Sequence, residues 1–324
     1  MRTALLLGIL APIASAPDSL QLGVEAGTKI TKSFTSSLKL ELQSVVVEVN
    51  GEEQEQGDTP EVTILDEEEI VFVDEYVSID DGKATELVRT YETLNDVSSQ
   101  VVVAPDGEEE STESEGESGL EGVGVRFQWS EDDGEYEVAF ADEDEQADDE
   151  LLENLDADAD FLFLMPEDDV DVGDTWEIDV QAFHYISNPS GDLKIDSDDE
   201  DGDRGNEFSD QFRDNLSGEL EGKLVSIEDG VATIKIIGDV ETTVETEQTP
   251  DGAPEGVEIT QAFQFSFECE GTLTWDMEKG HALNLEFGGA VALEIVNNQS
   301  QGEDFQITFT QDFEGEYEST ADFN

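Results

Sequence analysis

Apolar and polar residues alternate with a period of two through much of this chain. Leu38, Leu40 and Leu42 are separated by Lys39 and Glu41, Phe263, Phe265 and Phe267 by Gln264 and Ser266, and Phe305, Ile307 and Phe309 by polar partners. Successive side chains of a strand point to opposite faces, so each run puts one apolar comb on one face of a sheet. Ala232, Ile234 and Ile236 continue the pattern after Val225 and Ile227, with Asp229-Gly230 between the two runs. Asp-Gly readily supplies the positive φ of a tight hairpin. Helical spacing is clear only from about Glu143 to Leu155, where Leu151, Leu152 and Leu155 fall three and four apart. A connecting helix is expected there, before Phe161-Leu-Phe-Leu-Met-Pro166. His184, in Ala182-Phe-His-Tyr-Ile186, reads as part of an aromatic strand. Two acidic stretches read as loops: 106–119, almost wholly Glu, Ser, Gly and Thr, and 196–207.

The pattern also repeats. Val77-Ser-Ile-Asp-Asp-Gly-Lys-Ala-Thr85 recurs as Val225-Ser-Ile-Glu-Asp-Gly-Val-Ala-Thr233, with seven of nine positions identical at a displacement of 148. Trp129 and Gly134 recur as Trp275 and Gly280, and Val24 and Gly27 as Val170 and Gly173, both displaced by 146. Three echoes in one order at nearly one offset imply two related units. The expected fold is therefore mainly β: two homologous antiparallel units, curved sheets or half-barrels, joined by one helix. The first is placed at 22–160 and the second at 164–324.

Charge narrows the compartment and the partners. The 324 residues carry 85 Asp plus Glu against 13 Lys plus Arg, a net formal charge of −72. Such a surface repels phosphate backbones and gathers cations, so nucleic acid is not expected as a partner. The N-terminus reads as an export signal over residues 1–16: Met1-Arg2, an apolar run from Ala4 to Ile13, then Ala14-Ser15-Ala16. An exported protein, periplasmic or extracellular, is expected, with no transmembrane segment. Cys269 is alone, so there is no intramolecular disulfide framework, and it reads as a small apolar filler.

Little in the chain looks catalytic. His184 and His281 are the only histidines, there is no Gly-x-Ser-x-Gly elbow, and no glycine loop with a following Lys suits a phosphate. No cofactor is expected. Calcium is the one candidate ion, at Asp199, Asp201 and Asp203, since hard cations take carboxylate oxygens. The register of a calcium loop fails there, because Phe208 falls where a bidentate Glu is required.

Leu164-Met-Pro166 followed by Val170-Asp-Val-Gly-Asp-Thr-Trp176 resembles a group of exported bacterial proteins of unknown function that share a Leu-x-Pro, then Val-Gly-Asp-x-Trp signature. The resemblance covers about the central and C-terminal two thirds of the chain. It implies an exported β-rich domain and carries no catalytic residues over. Members often carry a lipid-attached cysteine that this chain lacks. Gly173-Asp174 is expected to turn, and Trp176 to enter a strand and pack.

The function expected from these readings is an exported, non-enzymatic β-rich structural or binding module of the cell envelope or extracellular space, with surface cations and an envelope protein or hydrophobic ligand as partner. Two alternatives follow from the same residues. A curved sheet with an uncovered apolar face carries a lipid or other hydrophobic ligand. Two carboxylates across a cleft make a hydrolase.

Overall fold

The computed structural model describes residues 20–55, 57, 59–142, 144–197, 202–248, 257–301 and 305–324. Alternation dominates: the chain forms β1 (Lys29–Val49), β2 (Glu52–Glu53), β3 (Glu61–Asp80), β4 (Lys83–Val103), β5 (Glu109–Ser118), β6 (Gly124–Ser130) and β7 (Glu135–Phe140). After two 3₁₀ turns come β8 (Thr175–Ile178), helix α1 (Ala182–Ser187), β9 (Ile195–Ser197) and helix α2 (Gly202–Asp214). The chain finishes with β10 (Ser217–Glu228), β11 (Val231–Gln248), β12 (Val257–Asp276), β13 (His281–Gln301) and β14 (Phe305–Phe323). All fourteen strands belong to one antiparallel sheet, in the order β7-β6-β4-β3-β1-β14-β13-β12-β11-β10-β8, with β2 on β1, β5 on β4 and β9 on β5.

Register shows how alternation becomes a core. Leu94, Ile70, Phe34, Ala321, Leu285, Leu273, Ile234 and Leu224 stand directly opposite one another across eight neighbouring strands. Every one of them is buried. A fully buried side chain of this size contributes about 1.5–3 kcal/mol, so a slip of one residue, which would turn such a row to solvent, is strongly disfavoured. The other face carries charge: Glu314, Glu316 and Glu318 on β14 are exposed and alternate with the inward Phe313, Gly315 and Tyr317.

The chain between β7 and β10, here termed the connector, lies across the inner face. Phe161 meets Phe34 and Phe323 edge-on at 6.1 and 5.6 Å, and Phe183 packs on Phe267 and Phe265 at 5.2 and 5.9 Å. The sheet is rolled around it. β9 pairs with β5 on one flank, while α2 lies against β11 on the other. Only five peptide units separate Ser197 from Gly202, a reach of at most about 18 Å. The two flanks therefore approach each other with α2 between them. At the opposite end Leu22 and Val24 are buried, and Gly23 donates to the Gly280 carbonyl at 2.9 Å.

Several local expectations need correction. The helix near 143–155 is a single 3₁₀ turn, Asp149–Leu152, begun by Asp148, whose carboxylate accepts from the Glu150 amide. Seven acids between Asp142 and Glu150 place like charges at helical neighbours, which opposes a longer helix. The acidic stretch 106–119 is largely strand, because β5 pairs with β4 from Val103↔Glu109 to Asp96↔Gly116. Its ladder needs only backbone groups, so most of its polar side chains stay in solvent. Of the stretch 196–207, residues 196–197 end β9 and 202–207 begin α2 rather than forming a loop, and 198–201 lie outside the described residues. Phe208 and Phe212, four apart, reach Phe263 and Phe265 from one helix face. His184 is helical, since Ala182, Phe183 and Ile186 bury the inner side of α1. The signal-peptide reading falls outside the described residues.

The hairpin readings hold. Asp81-Gly82 joins β3 to β4 with φ of 48° and 74°, and Asp229-Gly230 joins β10 to β11 with 51° and 82°. Both positions need positive φ, as in a type I′ turn. A Cβ on Gly230 meets nothing within 4 Å, and one on Gly82 makes only ordinary contacts with Gln21 and Leu22 at 3.6–3.7 Å, so backbone strain is what is at stake. Gly82→Ala and Gly230→Ala are each expected to lower stability by about 1–2 kcal/mol, read by urea denaturation. A markedly larger loss at one tip would mean that the two turns are not equivalent.

Candidate functional site

Charge enters the inner face at a few inward positions. Lys32 of β1, Asp74 of β3 and Arg89 of β4 are completely buried, and Asp160 of the connector is nearly so. The Lys32 ammonium lies 2.8 Å from Asp74 and 2.9 Å from Asp160. Arg89 uses all five N–H groups: Nε and Nη2 grip Asp74 at 2.7 and 2.9 Å, and the rest reach Ser190 and the Asp156 and Ala157 carbonyls. Tyr76 donates to Asp160 at 2.6 Å. Burial opposes the charge on both partners, but Arg89 and Lys32 hold the Asp74 carboxyl below its ordinary range, and Asp74 holds Arg89 above its own. Burial, then Asp160, pushes the Tyr76 phenol well up. Two cations meet two carboxylates, with all five Arg89 donors used and the Lys32 ammonium held by its two ion pairs without a hydrogen-bond partner of its own, so this cluster ties connector to sheet.

Beside it a cavity of about 620 Å³ opens between sheet and connector. Glu68 and Ile70 of β3 form one wall, residues 153–156 and 191–195 another, His184, Tyr185 and Asn188 a third, and Ser209, Asp210 and Arg213 of α2 a fourth. The two connector runs are held together by Asp156 donating its amide to the Ser190 carbonyl at 2.8 Å and Asp192 donating to Asn154 at 3.0 Å. Gly191 makes that approach possible: its φ is +82°, and a Cβ there would stand 2.2 Å from the Asn154 oxygen.

The cavity's charges are unevenly partnered. Lys194 pairs with Asp192 at 2.5 Å, and Arg213 with Asp210 at 2.9 Å. Glu68, Glu153 and Asp156 line the same space, and their carboxylates have no ion pair or hydrogen bond among the described residues. Burial, reinforced by Asp96 opposite it in the ladder, pushes the Glu68 carboxyl up to about 7. Burial also raises Asp156, against the pull of Arg89 and Arg213. His184 is lowered by burial and by Arg213, with Asp210 opposing, and its Nδ1 lies 3.3 Å from the Asn188 amide nitrogen. Burial and Arg213 thus both favour the neutral imidazole.

The other singled-out residues fall elsewhere. Asp199 and Asp201 lie outside the described residues, and Asp203 sits in the first turn of α2. Among the described residues no group of three His, Cys, Asp or Glu side chains is placed to hold a metal ion. His281 is buried, with Nδ1 2.6 Å from the Ala282 carbonyl. Cys269 is buried, its thiol pushed up to about 12 by burial and then by Asp239. Gly173 and Asp174 do turn, and Trp176 enters β8 and donates to the Leu164 carbonyl at 2.9 Å. The Phe comb divides: Phe267 is core, whereas Phe305 and Phe309 are each 41% exposed. Sequence reading passed over Glu68, Asp156 and Arg213, which no motif marks.

No protein-family model matches the chain, and no curated protein does. Among solved structures, the Pseudomonas aeruginosa protein OccK7 (OpdD) is similar at 6% identity with a TM-score of 0.18, over 92% of this chain and 99% of that one. The InvG secretin-domain β-barrel of the Salmonella SPI-1 injectisome matches at 8% identity, TM-score 0.13, over 91% and 61%. A mutant Rh. blastica porin matches at 12% identity, TM-score 0.13, over 88% and 99%. At such TM-scores none of the three carries an argument about this chain. Among the described residues no helix is long and apolar enough to cross a membrane.

Proposed function

We propose that this chain is an exported, non-enzymatic binding module that holds a small ligand between its rolled sheet and its connector. The cavity carries this reading: about 620 Å³ is the volume of a small-molecule site, and its walls are fixed by the adjoining buried ionic cluster. A non-enzymatic role is supported by His184, whose Nδ1 faces Asn188 rather than a carboxylate that would orient it as a general base. Export rests on residues 1–16 and on the resemblance of the Leu164–Trp176 stretch to exported proteins.

Two related units belong to the same proposal. Gly27 donates to the Tyr76 carbonyl as Gly173 donates to that of Leu224, and Gly134 to Ser130 as Gly280 to Asp276. Lys29 pairs with Glu75 as Thr175 pairs with Lys223, and each partner strand shifts register two residues later, around Val77 and around Val225. The three pairings and the bulge all repeat at displacements of 146 or 148, which supports a duplication within one continuous sheet.

A hydrophobic carrier is the second reading, favoured by exposed Phe305 and Phe309 on the apolar comb that also holds the buried Phe313. Native mass spectrometry of the chain, expressed in an exporting host and purified without detergent, separates the two. A bound small polar mass is the expected result. A lipid mass would transfer the role to the Phe305–Phe309 face, and a clean apo mass that gains nothing from a metabolite extract would overturn both.

A further inference from the structure

We infer that the cavity between β3, the connector and α2 takes an organic amine cation, a polyamine or similar ammonium with several N–H donors. The inference rests on the reading that this cavity is the ligand site. Both fixed cations of its lining are already spent, Lys194 on Asp192 and Arg213 on Asp210. What remains is the negative charge of Glu68, Glu153 and Asp156. An anion entering here would face three carboxylates that have no ion pair among the described residues, and a neutral ligand would leave the Glu68 charge uncompensated in a half-buried wall.

A bare metal ion is a poor alternative. It needs oxygens converging to roughly 2.0–2.6 Å, and among the described residues no such group exists. The carboxylates instead stand on different walls, Glu68 on the sheet and Glu153 and Asp156 on the connector. Separated acceptors suit a cation whose charges and donors are themselves separated. Tyr185 adds an aromatic side chain to the lining, and a ring face attracts ammonium groups. The surface field of a chain with net charge −72 draws cations toward any opening.

That field also binds cations without specificity, so the test must separate the cavity from the surface. Isothermal titration of the full chain with spermidine at pH 8 and 150 mM salt is expected to show one saturable site per chain. The Glu68→Gln/Asp156→Asn double variant should weaken it at least tenfold, while Glu314→Gln/Glu318→Gln on the outer face should leave it within twofold. Thermal melts establish that both variants fold, and if the cavity variant does not, Ser209→Trp, which fills the cavity from α2, is read in its place. Equal losses from inner and outer variants, or many weak sites that disappear with salt, would overturn the inference. A neutral or anionic molecule found by mass spectrometry and displaced by Ser209→Trp would overturn it too, yet leave the binding module standing. No cavity-dependent ligand of any charge would overturn both.

Discussion

Replacing Asp74 with alanine is expected to lower unfolding stability by about 3–5 kcal/mol, the largest loss from any single substitution in this protein. The carboxylate is fully buried, gripped by two nitrogens of Arg89 and approached by Lys32 at 2.8 Å. Its removal leaves two cations against Asp160 alone, in a place water does not reach. Long side chains cannot swing out to solvent, because Arg89 is also held by Ser190 and two connector carbonyls and stacks 4.2 Å from the Phe72 ring. A comparison isolates the charge: the double substitution Asp74→Leu/Arg89→Met removes one charge of each sign and is expected to cost less than Asp74→Ala alone. Urea denaturation followed by circular dichroism reads both. The sign in pH follows from the lowered Asp74 pKa: the contribution is present above the ordinary carboxylate range and is lost as pH falls through the folded value. A loss under about 1 kcal/mol for Asp74→Ala would show that the cluster does not hold the connector.

That cluster marks where the sequence is readable and where it is not. Period-two alternation announced the strands, and the two Asp-Gly tips announced two hairpins, because both signals are local. β5 was hidden because its strand state comes from β4 rather than from its own apolar residues. α1 was hidden for a related reason: Phe183 and Ile186 satisfy a helical spacing only once the inner face of β12 is there to bury them. The ionic cluster had a usable local trace. Lys32 stands between Ile30 and Phe34, Asp74 between Phe72 and Tyr76, and Arg89 between Leu87 and Tyr91, all on inward positions. A charge on the apolar phase of a strand predicts a buried partner, and only the register says which. The cavity had no such trace. Glu68 is one acid in Asp66-Glu-Glu-Glu69, and its inward direction emerges only from its place opposite Asp96 and two residues before Ile70.

Glu68→Gln is expected to stabilise the fold at alkaline pH and to have little effect in acid. The Glu68 carboxyl, pushed up to about 7 by burial and by Asp96, binds its proton more tightly when folded than when unfolded. Between its ordinary value near 4.5 and about 7 the folded state therefore holds more protons, and stability falls as pH rises through that window. Once the carboxyl is fully ionised the penalty is roughly 2–3 kcal/mol, allowing for access of water from the cavity. Gln keeps the shape without the charge, so urea curves should separate by about 2 kcal/mol at pH 8 and nearly coincide at pH 4.5. Part of the wild-type slope survives the substitution, since burial and Asp160 push Asp158 up to about 6 and burial also raises Asp96. Parallel stability profiles for the two proteins would show that Glu68 is solvated and that the cavity holds no strained charge. Separated profiles connect stability to binding: the chain keeps a carboxylate that weakens its own fold above pH 7, and a bound ammonium would relieve that penalty. The same substitution that strengthens the empty protein should then weaken amine binding, the trade-off expected where a charge is retained for a ligand rather than for the fold.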